Sequence, residues 1–336
     1  MVELPRRKLP LRDVYIAELG LGGTSIGDLY RSIPDSEATA IIQGALDRGI
    51  RYFDTAPYYG HGTSERRFGA ALQDNAGSSI ALSTKVGRLL VRSGGGERRA
   101  TPFQDGGDFD AIFDYSRDGV LRSVEESLVR LRRDSVDILY IHDVWTEEHF
   151  RQALDAAFPA LRDLRDQGLV KAIGVGIGRW EMCRDFIREC DLDCILLANR
   201  YTLLEQGGAL HELLPLCLER GIGVIAGGVF NSGILATGSI EGARYDYKPA
   251  PPEILQRVRR IEMVCARHGV ALQSAALQFP LRHPAVVSVL LGAASVAELD
   301  AALAWISIVI PGGFWSELIA EGLLDPDSPV SPLSTT

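Results

Sequence analysis

The chain has no CxxC pair, no long hydrophobic run and fewer basic than acidic residues, and each shortage closes off a class of function. Five cysteines are an odd number, and Cys183, Cys190, Cys194, Cys217 and Cys265 sit within helix and strand patterns as small apolar residues do. Reduced thiols in a cytoplasmic protein are therefore expected. Cys183, Cys190 and Cys194 have no histidine or fourth thiol at ligand spacing, so no metal site is expected. No apolar stretch approaches the roughly 20 residues of a membrane span. The N-terminal MVELPRRKLPLRDV lacks the apolar core and cleavage site of a signal peptide. With 35 Lys and Arg against 44 Asp and Glu, the net charge of −9 weighs against nucleic acid or an anionic membrane as a partner. The oligomeric state is left open.

What the chain does have is an alternation of short β-branched runs with longer amphipathic segments. The expected strands are Ile16 to Leu21, Tyr52 to Asp54, Ile80 to Thr84, Val136 to Ile141, Ala172 to Val175, Cys194 to Leu197, Val224 to Ala226 and Val286 to Leu290. Helical periods run over Ser36 to Arg48, Ser64 to Leu72, Arg117 to Leu131, Glu148 to Gln167, Arg179 to Glu189, Ala209 to Arg220, Pro252 to His268 and Val296 to Trp305. Gly49, Gly168, Gly221 and Gly269 stop four of these helices, each ahead of a strand or extended segment.

Strands that are apolar at consecutive positions are buried on both faces, so the pattern predicts an α/β protein, a closed parallel (β/α)8 TIM barrel. It would be one domain over 1–336 with its core at 14–305. The surplus over the roughly 250 residues of such a barrel falls mainly in an insertion at 86–116, rich in Gly, Arg and Asp. Following the third strand, it should emerge at the C-terminal face, where these barrels bind ligands. Tyr247 to Pro252 is a second candidate lid, and the Pro/Ser-rich tail at 325–336 is expected to be mobile.

Asp54 ends the second strand with Tyr59 just beyond it, Lys85 ends the third and His142 the fourth. Adjacent strands of a barrel bring such ends to one rim. Asp54 would pair with Lys85, and a cation close to Tyr59 would lower its pKa from about 10 towards neutrality. Such a tyrosine gives a proton to a carbonyl oxygen or takes one from a hydroxyl, while His142 could hydrogen-bond the same oxygen. Taken singly, each residue has a plainer reading: Asp54 as a turn cap, Tyr59 as a loop aromatic, Lys85 as a surface lysine, His142 as a structural histidine. Their convergence favours a site.

The segment GIRYFDTAPYYGHGTSERRFGAAL (Gly49 to Leu72), with STKVG around Lys85 and DILYIHDV around His142, resembles the aldo-keto reductase family, and the similarity extends over Ala17 to Leu303. The resemblance implies that Tyr59 is the general acid and base, that Lys85 and Asp54 tune it, and that His142 orients the substrate oxygen. Hydride would pass between a substrate carbon and C4 of a nicotinamide, with no metal. It implies a dinucleotide extended over the barrel mouth without a Rossmann GxGxxG, near Gly23, Thr24, Asp54, Gly176, Asn199 and Gly292. AGGVFNSGILATG (Ala226 to Gly238) is similar to the family's pyrophosphate loop, offering Gly228, Val229, Phe230, Ser232, Gly233 and Leu235.

Two departures from the family pattern stand out. Where the family usually holds the nicotinamide amide with a Ser-Asn pair and a Gln, this chain has Gly176-Ile177 and Ala198. Asn199, Arg200 or backbone groups would have to substitute, with Tyr201 as a stacking face. After the eighth strand, many NADP-preferring relatives carry a basic residue for the 2′-phosphate, whereas this chain has Ala294, Ser295 and an acidic Glu298, and no guanidinium is at hand. NAD is thus expected in preference to NADP, and because cellular NAD is mostly oxidised, dehydrogenation is the expected direction.

LLANRYTLLEQ with GGVFNSGILATG is similar to the branch of the family that includes D-threo-aldose (L-fucose) 1-dehydrogenases and pyridoxal 4-dehydrogenases, which oxidise a cyclic hemiacetal to a lactone. A small carbonyl or hemiacetal substrate would lie against Tyr30, Tyr58, His142 and Trp145. The competing readings are a general aldehyde or ketone reductase, a nucleotide-binding regulatory relative, and a phosphate-binding barrel isomerase. The isomerase leaves Tyr59, Lys85 and Asp54 without a role.

Overall fold

A computed structural model describes residues 4–75, 79–94, 101–104 and 107–330. The chain opens with an antiparallel ribbon, β1 (Arg6–Lys8) and β2 (Tyr15–Ala17), which leads into the first barrel strand, β3 (Leu19–Gly22). The single strand expected from Ile16 to Leu21 is thus divided at Glu18, whose carboxylate holds Arg7 at 2.7 Å. Arg7 also donates to the carbonyl of Val286 at 2.7 Å, and Leu9 between the ribbon strands is fully buried, so the ribbon covers the N-terminal end of the barrel.

The chain continues through α1 (Asp35–Asp47), β4 (Tyr52–Asp54), α2 (Thr63–Leu72), β5 (Ala81–Val86), β6 (Arg88–Arg92), β7 (Phe109–Phe113), α3 (Arg117–Leu131) and β8 (Val136–His142). Then come α4 (Glu147–Gln152), α5 (Phe158–Asp166), β9 (Val170–Ile177), α6 (Trp180–Glu189), β10 (Cys194–Ala198), α7 (Leu214–Arg220) and β11 (Gly223–Gly227). The last part holds α8 (Ile234–Thr237), β12 (Arg244–Tyr245), β13 (Lys248–Pro249), α9 (Pro252–His268), α10 (Leu272–Leu281), β14 (Val286–Gly292), α11 (Val296–Ser307) and α12 (Gly312–Ala320).

Eight parallel strands close in the order β3, β4, β5, β8, β9, β10, β11 and β14, with β14 pairing back to β3 from Val289 and Leu19 to Gly292 and Gly22. The fold is the expected (β/α)8 barrel. The four helix-stopping glycines all adopt left-handed φ, between 65° and 88°, which a glycine accepts without a Cβ clash. The helix expected from Glu148 to Gln167 widens into a π-turn at Ala153–Ala157, and a second π-turn at Ala209–Leu213 begins the helical segment that continues as α7. Each sits just ahead of a proline, Pro159 or Pro215, which cannot donate the regular helical hydrogen bond.

The insertion contains an antiparallel hairpin, with β6 paired to β7 from Arg88 and Phe113 to Arg92 and Phe109. Its positions 95–100 and 105–106 lie outside the described residues, as do 1–3 and the tail from 331. The packed body extends past the expected core boundary: Phe314, Trp315, Leu318 and Leu323 are fully buried. Asp325 to Val330, expected as mobile tail, are tied down by Asp325 against His211 at 2.9 Å and by Arg282 on the carbonyl of Val330. All five cysteines are buried free thiols. No single helix among the described residues is long and apolar enough to cross a membrane.

Candidate active site

Side chains two apart on a strand share a face, so Tyr52 and Asp54 on β4, Ser83 and Lys85 on β5, and Tyr140 and His142 on β8 form two inward layers. The lower layer is hydrogen-bonded: Tyr52 Oη lies 3.1 Å from Ser83 Oγ and 3.2 Å from Tyr140 Oη. Ser83 Oγ donates upward to Asp54 Oδ1 at 2.7 Å. Above it, Lys85 Nζ donates to Asp54 Oδ2 at 2.6 Å and to the carbonyl of Thr55 at 2.8 Å, both side chains being buried. The loop after β4 places the Tyr59 ring over this cation, 4.7 Å from Nζ to the ring centroid. His142 meets Tyr59 edge-on, with ring centroids 5.7 Å apart. The structure therefore brings Asp54, Tyr59, Lys85 and His142 into one cluster.

The protonation states differ in one respect from expectation. Burial, followed by the charges of Asp54 and Asp143, lifts Tyr59 well above the ordinary phenol range rather than lowering it. Lys85 spends its hydrogen bonds on Asp54 and Thr55, and its charge does not overcome desolvation of a buried phenolate. Burial likewise raises Asp54 and depresses Lys85, in each case against the attraction of the partner. His142 is pushed well below the usual imidazole range by burial, Lys85 and Arg88. At neutral pH the cluster presents a phenol and a neutral imidazole, both able to hydrogen-bond a substrate oxygen.

These groups open into a cavity of about 430 Å³, a size suited to a small ligand. Tyr58 and Trp145 line it, whereas Tyr30 stands outside it, half exposed beside Arg244. The third aromatic wall is Phe103, from the insertion, 5.2 Å from Tyr58 and 5.9 Å from Tyr59 between ring centroids. Its backbone bridges to Leu29, and the flanking Pro102 accepts from the Tyr30 N–H at 3.1 Å, so the insertion is laced to the loop after β3. Arg200 and Asp246 line the cavity too, and so do Arg88 and Asp143, paired at 3.2 Å. Sequence reasoning missed Arg88 and Asp143, because an arginine opening an irregular segment and an aspartate after a strand read as solvated loop residues.

Most of the residues expected to hold a dinucleotide lie around the mouth of the barrel. Thr24, Gly176 and Asn199 line the cavity, while the Gly23 N–H, inside the rim, donates to the carbonyl of Asp54 at 2.7 Å. Gly292 lies on the rim beside Thr24 and Ser25. In the turn after β11, Gly228, Asn231, Ser232 and Gly233 all have φ between 47° and 105°, a run of left-handed residues of the kind that turns backbone N–H groups towards an anion. Asn231 Oδ1 is buried there with no partner among the described residues. The side chains of Val229 and Leu235 are core, Phe230 packs on Trp305, and Ser232 Oγ accepts from the Tyr247 N–H at 2.9 Å. Any contribution from Val229 and Leu235 is therefore through backbone.

The second candidate lid, Tyr247 to Pro252, begins in the β12–β13 hairpin, and its Tyr247 lines the cavity and accepts a hydrogen bond from Asn199 Nδ2 at 3.3 Å. Arg200 is held by Asp246 at 3.1 Å. Tyr201, expected as a stacking face, is instead buried against Phe279 and His283. Ser295 and Glu298 serve the start of α11: Ser295 Oγ accepts from the Glu298 N–H at 3.2 Å and Glu298 Oε2 from the Ala294 N–H at 2.9 Å. This is a reciprocal cap, and the S-x-x-E spacing is its sequence signal. The expectation that no guanidinium stands nearby is corrected by Arg31, which donates to the carbonyl of Ala294 at 2.9 Å.

Residues 18–319 match the Aldo/keto reductase family. The chain is 39% identical over 336 residues to a pyridoxal 4-dehydrogenase of Microbacterium luteolum, covering 95% of this chain and 98% of that one. It is 43% identical over 319 residues to a D-threo-aldose 1-dehydrogenase of a Pseudomonas species, covering 93% and 95%. Among solved structures, an aldo-keto reductase of Bacillus halodurans in its holo form is similar with a TM-score of 0.76 at 23% identity, over 99% of both chains. The glycerol dehydrogenase of Gluconobacter oxydans gives 0.73 at 22%, over 98% of both. The chain thus belongs to the aldo/keto reductase family, oxidoreductases that act on small carbonyl substrates with a nicotinamide cofactor.

Proposed function

We propose that the protein oxidises a cyclic hemiacetal, an aldose such as L-fucose or pyridoxal, to its lactone, with NAD in preference to NADP. The observation that carries the reading is the cluster of buried Asp54, Lys85 and His142 with the half-buried Tyr59 beneath an aromatic-walled cavity. It stands in a chain 39% and 43% identical to two relatives named for such substrates. Thr24, Gly176, Asn199 and the 228–233 turn would hold the nicotinamide cofactor, which would supply the hydride acceptor. The anomeric carbon gives up its hydrogen with both bonding electrons, the anomeric O–H proton passes to Tyr59, and the electrons of that O–H bond become the second carbon–oxygen bond of the lactone carbonyl.

Tyr59 enters this step as phenolate, its own proton having first passed to solvent through the cavity it lines, and the Lys85 ammonium 4.7 Å from the ring centroid offsets part of the cost of that anion. His142, neutral, steers the anomeric oxygen without competing for its proton. Arg31 supports NADP as a second reading of the cofactor, since it puts a cation beside Ala294. The test is nicotinamide reduction with NAD and NADP against L-fucose, other aldoses, pyridoxal and simple alcohols. Turnover of hemiacetals with a higher kcat/KM for NAD is expected. Activity confined to simple aldehydes and ketones would overturn the reading.

A further inference from the structure

We propose that Arg88 and Asp143 form a hydroxyl clamp that selects a polyhydroxylated ring, the pyranose form of an aldose, over pyridoxal; the inference rests on the hemiacetal reading above. Arg88 opens the insertion hairpin, and its guanidinium carbon lies 3.9 Å from the ring centroid of Tyr58 and 4.3 Å from that of Phe113. Stacked between two rings, it has little freedom. Nη1 donates to Asp143 Oδ2 at 3.2 Å. The two side chains keep 12% and 19% of their surface exposed where they line the cavity, so a ligand oxygen can reach the pair.

Asp143 follows His142 with φ of 54° and is pinned through its backbone: its N–H donates to the carbonyl of Gly176 at 3.2 Å, and its own carbonyl accepts from Tyr115 Oη at 2.9 Å. Its Oδ1 stands 3.7 Å from His142 Nε2, beyond a hydrogen bond, so the carboxylate keeps lone pairs for a ligand. Both residues line the cavity that holds Tyr59 and His142.

A fixed carboxylate beside a fixed guanidinium matches neighbouring hydroxyls, which donate to the first and accept from the second. The charges of the pair cancel, as do those of Arg200 with Asp246 and of Lys85 with Asp54, so among the described residues the cavity keeps no surplus cation for a sugar phosphate or sugar acid. Tyr58 and Phe103 supply apolar faces for the C–H side of a sugar ring. Pyridoxal has no adjacent ring hydroxyls; its phenolic oxygen and ring nitrogen are separated by a methyl-bearing carbon.

The test compares Asp143→Asn and Arg88→Gln with wild type on L-fucose, on pyridoxal, and on 2-hydroxytetrahydropyran, the same hemiacetal ring stripped of its other hydroxyls. The loss in kcat/KM on L-fucose should exceed that on 2-hydroxytetrahydropyran and on pyridoxal by about 10- to 100-fold, the worth of a hydrogen bond to a charged group. Equal losses on all three substrates, or a larger loss on pyridoxal, would overturn the clamp. Calorimetric titration of L-fucose reads the clamp without turnover. A Kd at least tenfold weaker in both variants is expected, and an equal Kd, or no binding to wild type, overturns it. Sugar that binds through Asp143 but is never oxidised would defeat the proposed function alone; sugar oxidised with equal losses would defeat the clamp alone.

Discussion

Replacing Lys85 with methionine isolates what the buried ion pair contributes. The two side chains are 1% and 3% exposed and 2.6 Å apart, and once the ammonium is gone Asp54 keeps the hydroxyl of Ser83 at 2.7 Å. Stranding one member of such a pair costs about 3–5 kcal/mol, which at roughly 2 °C per kcal/mol lowers Tm by about 6–10 °C. Adding Asp54→Asn removes the stranded charge and should restore more than half of that loss. The reason is that burial already drives Asp54 up and Lys85 down, towards their neutral forms, against their mutual attraction. The pair therefore costs stability while it serves the site, and neither variant should recover turnover. Scanning calorimetry at neutral pH reads the effect. A Lys85→Met protein that melts with wild type, or a double variant that melts no higher than the single one, refutes the reasoning.

Gly228→Ala forces a side chain onto a φ of 62° and drives its Cβ into the Asn199 amide, so it should weaken NAD binding at least tenfold by fluorescence titration; an unchanged Kd would remove this turn from the cofactor site. Arg31→Ala should lower the affinity for NADP relative to NAD by about tenfold and Ala294→Arg should raise it, and equal ratios in both would place the adenosine end elsewhere. Burial pushes Asp143 up to about 6, against Arg88 and Lys85, with Tyr59, Tyr115, His142 and Tyr247 also facing it. The clamp needs the carboxylate, which is present above that pKa and lost below it, so KM for L-fucose should rise about tenfold at one pH unit below and level off above neutrality. His142 stays neutral across this range, and the acid limb should vanish in Asp143→Asn.

The barrel was legible because its strands are short, apolar and buried on both faces, and the residues at their ends gave away the rim. Leu272–Leu281 escaped because LQSAALQFPL is apolar nearly throughout and carries an internal proline, so it has no helical period to read. The β1–β2 ribbon escaped because a stretch rich in charge and proline hides a three-residue pairing. Within the site, the positions of Asp54, Tyr59, Lys85 and His142 could be read, but the pKa of Tyr59 could not. It depends on how fully burial outweighs a nearby cation, a property of the packed loop and not of spacing. Arg88 and Asp143 have no local signal; only the fold shows that the Tyr58 and Phe113 rings trap the arginine against the aspartate.

The central claim is that Tyr59 carries the proton. Tyr59→Phe, with NAD affinity measured by fluorescence and oxidation measured on the best substrate, tests it most directly. Unchanged NAD affinity and a turnover lowered about 10²- to 10⁴-fold, the usual worth of a general acid or base, are expected; oxidation at the wild-type rate would contradict proton transfer by Tyr59.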